Sequence, residues 1–275
     1  MSPGHAIGPT AHYTAYVWSR HGLSHPELVT AQGRILFESL RPFIATSRLL
    51  RGPSLEAYLL TRHRAIDALL AEAIERAAVT QVIEVAAGLS PRGWRFARRY
   101  EDALTYVEAD LPEMAARKRQ ALERMGALGE RHRVAALDAL SDSGPHSLEA
   151  VAGNLDPDQA TAIVTEGLLA YVDAAALAGM WRRFARTLAT FRAGRYISDL
   201  HIGAVQNVQV HMFRLLLAGF VRGQVHLHFA SVAEAARAAR AAGFADVEVR
   251  RGIEVVGGDA GAGSELVHTL EASSR

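Results

Sequence analysis

The sequence predicts an α/β fold: a doubly wound, Rossmann-like, mostly parallel seven-stranded sheet with an antiparallel terminal hairpin and a helical lid. Three observations carry that expectation. Short β-branched runs alternate with helical stretches from Gln81 to Leu200, and a β-α-β-α order implies a parallel sheet with helices on both faces. Two more strand-like runs, Val247–Arg250 and Glu265–Leu270, follow the last strong helix as a closing pair expected to be antiparallel. Prolines concentrate at the start: Pro3, Pro9, Pro26, Pro42 and Pro53 are five of the nine. That texture reads as short, proline-broken helices lying over another domain.

Each element has its own signal. Residues 1–53 form the cap, with His12, Tyr13, Tyr16 and Trp18 clustered in it. Ser54 is an N-cap, after which Leu55, Leu59, Ile66, Leu69, Leu70 and Ile74 recur at helical spacing. Strands are expected over Gln81–Ala86, Leu104–Glu108, Arg133–Leu137, Thr161–Thr165 and Arg195–Leu200, and helices over Arg92–Tyr100, Glu113–Met125, Ser147–Ala152 and Asp173–Thr190. Residues 201–230 read as an inserted, largely helical segment, and Val232–Ala242 as a helix ending at Gly243. The glycine-rich run Gly257–Gly263 reads as the loop of the final hairpin. The division is therefore a cap, 1–53, on one domain, 54–275.

Composition removes several function classes. The chain has 275 residues, 49% hydrophobic and 21% charged, the balance of an ordinary globule. Its 30 Lys+Arg against 29 Asp+Glu leave a net charge of +1, which argues against a nucleic-acid partner, whose affinity would need clustered cations. With no cysteine, disulfides, thiolate zinc and cysteine nucleophiles are excluded. Lys118 is the one lysine. No signal-peptide pattern and no membrane span is read, so a cytoplasmic protein, monomer or homodimer, is expected.

In an open parallel sheet, ligands bind beyond the carboxyl ends of the strands. After the first strand stands Glu84-Val85-Ala86-Ala87-Gly88, a small-residue turn that lets a ligand reach the backbone. It lacks the three-glycine spacing of a dinucleotide site and the P-loop pattern. The second strand ends in Glu108 and Asp110, and Glu108 stands twenty residues after Gly88. An acid there either holds both ribose hydroxyls or is a solvated side chain at a strand end. Together these features describe a nucleoside site without a diphosphate, the shape of S-adenosylmethionine.

Four linked motifs sharpen this. They are Arg62–Asp67 (RHRAID), Gln81–Gly93 (QVIEVAAGLSPRG) with Arg95, Tyr106–Pro112 (YVEADLP) with Lys118, and Thr165–Tyr171 (TEGLLAY). In this order, across residues 55–200, the chain resembles the leucine carboxyl methyltransferase superfamily of class I methyltransferases, in its bacterial branch typified by the tetracenomycin polyketide O-methyltransferase. The resemblance implies S-adenosylmethionine as cofactor, S-adenosylhomocysteine as product and a small-molecule acceptor. It implies that Arg62 pairs with the methionine carboxylate and that Glu84, Ala86 and Gly88 form the turn against the cofactor, with Ala86 where the family more often has glycine. Glu108, ahead of Asp110, would hold the ribose. Asp138 would reach the adenine amine, with Ala139 and Leu140 beside it. Glu166 would face the amino-acid end, and Tyr171 would border the acceptor.

Methyl transfer is an in-line displacement in which positioning carries most of the rate. A carboxylate acceptor needs no base, whereas a hydroxyl does. His201, at the end of the fifth strand, is the candidate base, or else an ordinary histidine at the edge of the insertion. Tyr13, Tyr16 and His211 in the cap segments are candidates for touching substrate, as is His12. His226 and His228 lack a third ligand, so no metal is expected. Beside O-methylation of a natural-product carboxyl or hydroxyl group stand two alternatives. One is a non-methylating elimination or cyclisation on the same fold, the other a non-catalytic cofactor-binding protein.

Overall fold

The structure, a computed structural model, describes residues 4–49, 54–203, 226–257, 261 and 263–274. One sheet has the order β3-β2-β1-β4-β5-β7-β6. Its strands are β1 (Gln81–Val85), β2 (Thr105–Asp110), β3 (His132–Ala136), β4 (Ala160–Thr165), β5 (Ala193–His201), β6 (Val247–Arg251) and β7 (Val267–Ser273). β7 pairs antiparallel with both β5 and β6, and the remaining pairs are parallel. The terminal hairpin therefore closes the sheet with its second strand inserted beside β5. Strand order reverses between β1 and β4, which puts a ligand crevice beyond their carboxyl ends.

The helices between strands begin where local chemistry places their caps. Ser54 accepts the N–H of Ala57 at the start of α3 (Leu55–Glu75), and α4 (Arg92–Tyr100) and α5 (Pro112–Arg124) follow β1 and β2. Ser147 caps α6 (Leu148–Ala152) and Asp173 caps α7 (Ala174–Leu188). Ser231 caps α8 (Val232–Ala241), and α9 (Gly252–Val256) leads towards the glycine-rich run. Each oxygen satisfies one of the N–H groups a helix start leaves over.

Period-two alternation along the strands sorts the core onto two faces. Ile83, Val85, Val107 and Ile163 pack with Trp181, Phe184 and Leu188 of α7. Val82, Ala162, Val164 and Ile197 pack with Ile66, Leu69 and Leu70 of α3 and Phe96 of α4. Glu84, Glu108, Asp199 and His201 share the strand parity of this second set, so they meet α3, α4 and α5.

The cap differs from its expectation. It forms two long helices, α1 (Gly4–Arg20) and α2 (Ala31–Leu49), whose backbones run through Pro9 and Pro42 instead of breaking there. Each proline removes one intrahelical bond, and tertiary packing compensates. Tyr13, Val17 and Trp18 of α1, Phe37 of α2 and Tyr58 and Leu59 of α3 form one apolar cluster. The helices approach so closely that a Cβ on Gly33 would collide with the carbonyl of His12. Most of the 201–230 insertion, including His211, lies outside the described residues.

Candidate active site

α3 and β5 meet as a ladder of matched periods. Tyr58 and Arg62 are one helical turn apart, and His201 and Asp199 are two residues apart on one strand face, so both pairs repeat at about 6–7 Å. Tyr58 Oη lies 2.6 Å from His201 Nε2. Arg62 Nη1 lies 3.7 Å from Asp199 Oδ2, and its Nε donates to Glu166 Oε1 at 3.1 Å. The guanidinium also sits 5.6 Å over the Tyr58 ring. Gly167 follows Glu166 and donates its N–H to Asp199 Oδ1 at 2.7 Å. The ends of β4 and β5 are thus tied together around Arg62.

Glu166 is the most heavily compensated acid here. Its Oε2 takes Arg92 Nη2 at 2.5 Å and faces His63 Nδ1 at 2.8 Å. Burial pushes its carboxyl up, but His63, Arg92 and Arg62 push further, and it lies well below the usual carboxylate range. Arg92 is a buried hub that also donates to Asp67 and to Glu84, both at 2.6 Å. Tyr106 Oη donates to the other oxygen of Glu84 at 2.8 Å. Glu84, expected at the cofactor, is therefore spent on Arg92 and Tyr106 and supports the turn from behind.

At that turn Ala86 has φ 56° and Gly88 φ 50°. The left-handed region costs a non-glycine residue about 1 kcal/mol, which explains why glycine suits the position of Ala86. Asp110 closes the turn: its Oδ2 accepts the Gly88 N–H at 2.6 Å and its Oδ1 the Leu111 N–H at 2.7 Å. Burial raises the Asp110 carboxyl above its ordinary value despite those two donors.

Glu108 corrects the sequence expectation. It is sealed between α4 and α5, where Lys118 Nζ pairs with one oxygen and His132 Nε2 lies 2.7 Å from the other. A Cβ on Gly93 would strike its carboxylate, so α4 roofs it closely. Lys118 donates in addition to the Ser90 carbonyl at 2.5 Å. Enclosed in this way, at 1% exposure and ion-paired to Lys118, the carboxylate is walled off from the crevice where a ribose would lie. Of the two acids considered, only Asp110 borders the turn.

Other candidates fall in different places. Asp138 Oδ1 accepts the Leu140 N–H at 2.9 Å just beyond β3, Ala139 accepts Arg183 Nε at 3.1 Å, and Leu140 is exposed. This leaves the β3 end shaped as a turn beside the crevice. Tyr171 is half-buried, and burial, opposed in part by Arg62, raises its phenol above the usual value. Tyr13 and Tyr16 both pack on Phe37 of α2, at ring separations of 5.8 and 5.1 Å. Their faces are taken by the cap's own core. His12 bonds Thr30, and His228 bonds the Leu169 carbonyl. Among the described residues, no group of three or more His, Asp or Glu side chains is arranged to hold a metal.

His201 also departs from its expected role. Burial foremost, then Arg62, His268 and His228, pull its imidazole down to about 3. That lowered proton affinity opposes the general-base role, which calls for a value near the working pH.

Comparison with known proteins decides the family. The chain matches the leucine carboxyl methyltransferase family over residues 25–185, more than half of its 275 residues. It belongs to that family. A Rhodococcus jostii protein assigned as an S-adenosyl-L-methionine-dependent methyltransferase is 32% identical over 155 residues, 56% of this chain and 50% of that one. A Mycobacteroides abscessus protein with the same assignment is 33% identical over 127 residues, 46% of this chain and 38% of its own length. This leucine carboxyl methyltransferase family member thus spans about half the length, or less, of these curated relatives.

Solved structures agree on the fold. One assigned as a methyltransferase of Thermobifida fusca superposes with a TM-score of 0.68 at 10% identity, covering 95% of this chain and 93% of the other. A DUF574 family protein of Streptomyces avermitilis superposes with a TM-score of 0.67 at 13% identity, covering 96% of each. The family uses S-adenosylmethionine as its cofactor.

Sequence reasoning missed Tyr58, His63, Asp67, Arg92 and Asp199 as members of this site. Signals for some were present. His63 and Asp67 are one turn apart on α3, facing Arg92 and Arg95 on α4. Lys118 stood out as the one lysine in an arginine-rich chain. Asp199 carried no local signal.

Proposed function

We propose that this chain catalyses S-adenosylmethionine-dependent O-methylation of a small molecule in bacterial natural-product biosynthesis, with a carboxylate as the preferred acceptor. The observation that carries the reading is the convergence of Arg62, Glu166 and Asp199 at the ends of β4 and β5, across the switch point from the Ala86–Gly88 turn and Asp110. Those residues fit the cofactor. A guanidinium suits its carboxylate, an acid beside the turn suits a ribose, and the turn lacks a phosphate cradle. Arg62, Ala86, Gly88, Asp110 and Asp138 would hold it, with Glu166 fixing Arg62.

S-adenosylmethionine, when bound, supplies an electrophilic methyl group on a sulfonium sulfur. The chain's own part is to orient and to exclude water. Arg62 is fixed from two sides before any ligand arrives. The cap helices α1 and α2 act as a lid, with Trp18 of α1 lying 4.5 Å from the His63 ring. His201, neutral and bonded to Tyr58, positions and does not remove a proton. That supports an acceptor already anionic at neutral pH, and a phenol is the less favoured class.

The test is to incubate the protein with methyl-labelled S-adenosylmethionine and panels of small carboxylic acids and phenols. Label should enter a base-labile ester. Absence of S-adenosylhomocysteine binding by calorimetry would remove the reading altogether.

A further inference from the structure

Asp199 is buried, at 3% relative exposure, yet its two oxygens are unequally served. Oδ1 accepts the Gly167 N–H at 2.7 Å, while Oδ2 has Arg62 at 3.7 Å, an ion-pair distance too long for a hydrogen bond. Glu166, on the other side of the same guanidinium, is bonded by Arg62 and Arg92 and faces His63. The pair is therefore lopsided: one carboxylate is saturated with cationic partners and the other half-compensated. A buried carboxylate left in that condition is costly, and burial duly outweighs Arg62 and the Gly167 N–H to raise its carboxyl above the ordinary value.

A cation arriving next to Oδ2 would relieve this. The cofactor's tail brings one, because its α-ammonium is attached to the same carbon as the carboxylate that Arg62 would take. From the geometry we infer that Asp199 is the residue that binds the α-ammonium group of the cofactor, reading the tail as a zwitterion together with Arg62. This rests on the methyltransferase reading above. Glu166 does not compete for the role, since its oxygens already serve the Arg62–Arg92 network. Asp199 thereby contributes selectivity for ligands that carry the free amine, over adenosine thioethers lacking it.

The experiment is a calorimetric cycle on the full chain with two ligands: S-adenosylhomocysteine, and its analogue in which the α-amino group is replaced by hydrogen. Wild type should bind the deaminated analogue about ten- to a hundredfold more weakly, the scale of a hydrogen bond to a charged group. Asp199→Asn should weaken S-adenosylhomocysteine by a similar factor and the analogue by much less, so that the two affinities converge, with circular dichroism certifying the variant's fold. Equal weakening of both ligands by the variant, or no weakening of either, overturns the inference. Should the variant not fold, wild type decides alone, and equal affinity for the two ligands overturns it. Wild type binding neither ligand overturns the methyltransferase reading first, a result distinct from the others.

Discussion

Glu108 and Asp199 are both buried acids on the same face of the sheet, and they behave differently. Glu108 lies within β2 beneath α4, clasped by Lys118 and His132 under the roof of Gly93. Asp199 lies near the end of β5 by the switch point, with one donor and one distant guanidinium. The first cluster is closed by α4 and holds two cationic neighbours for its one acid. The second is open by one partner. In sequence, Glu108 looked like the functional acid and Asp199 drew no notice. The comparison teaches that a buried acid declares its role by what remains uncompensated around it, more than by its residue type at a strand end.

The comparison breaks most visibly at Arg92, which serves the closed network behind the site. Arg92→Ala would leave Asp67, Glu84 and Glu166 short of a buried cation, and should cost about 3–5 kcal/mol of stability in urea unfolding. A loss below about 1 kcal/mol would show that the hub is not holding these acids.

Lys118→Met tests the closed cluster by itself. It should destabilise by about 3 kcal/mol while leaving the affinity of the folded protein for S-adenosylhomocysteine unchanged. A large drop in affinity at full folding would return Glu108 to the ligand site. Asp110→Asn sharpens the contrast from the other side. It should weaken S-adenosylhomocysteine about tenfold and cost about 1 kcal/mol of stability, since Asn keeps an acceptor for the Gly88 N–H.

A pH-dependent effect concerns the open end of the ladder. His201 titrates at about 3 in the folded protein, against about 6.5 in an unfolded chain. Between those values the unfolded state binds a proton that the folded state refuses. His201 therefore favours folding fully above pH 6.5, and its contribution is lost as pH falls towards 3, at up to about 1.4 kcal/mol per pH unit. His201→Gln should flatten that stretch of the stability curve. Glu166 acts in the same direction at lower pH: its depressed carboxyl stabilises the fold above the ordinary carboxylate range and the benefit is lost as pH falls below it. An unchanged slope in the His201 variant between pH 6 and 4 would contradict a half-buried imidazole whose proton affinity is lowered by its surroundings.

Much of the architecture was legible because its causes are local. Alternating β-branched runs mark strands, and the oxygens of Ser54, Ser147, Asp173 and Ser231 mark helix starts wherever the chain goes. Linked motifs at fixed spacing singled out the Ala86–Gly88 turn, Arg62 and Glu166 as candidates, and the structure pairs Arg62 with Glu166. The continuous cap helices were not. A proline's local cost is visible in sequence, whereas the packing of Tyr13, Trp18 and Phe37 that offsets it is not.

By itself, then, the sequence determined the order of strands and helices, the exclusion of thiol chemistry and the nucleoside-like character of the site. Only the tertiary structure decided how the acids divide their labour. Glu108 and Asp110 have the same strand parity, so no periodicity separates them; the difference is that α4 covers one and the β1 turn receives the other. Asp199 acquires its role from Arg62, which is 137 residues away in sequence and reaches it because α3 packs across β5. Electrostatic compensation is a property of neighbours in space, and folding is what makes those neighbours.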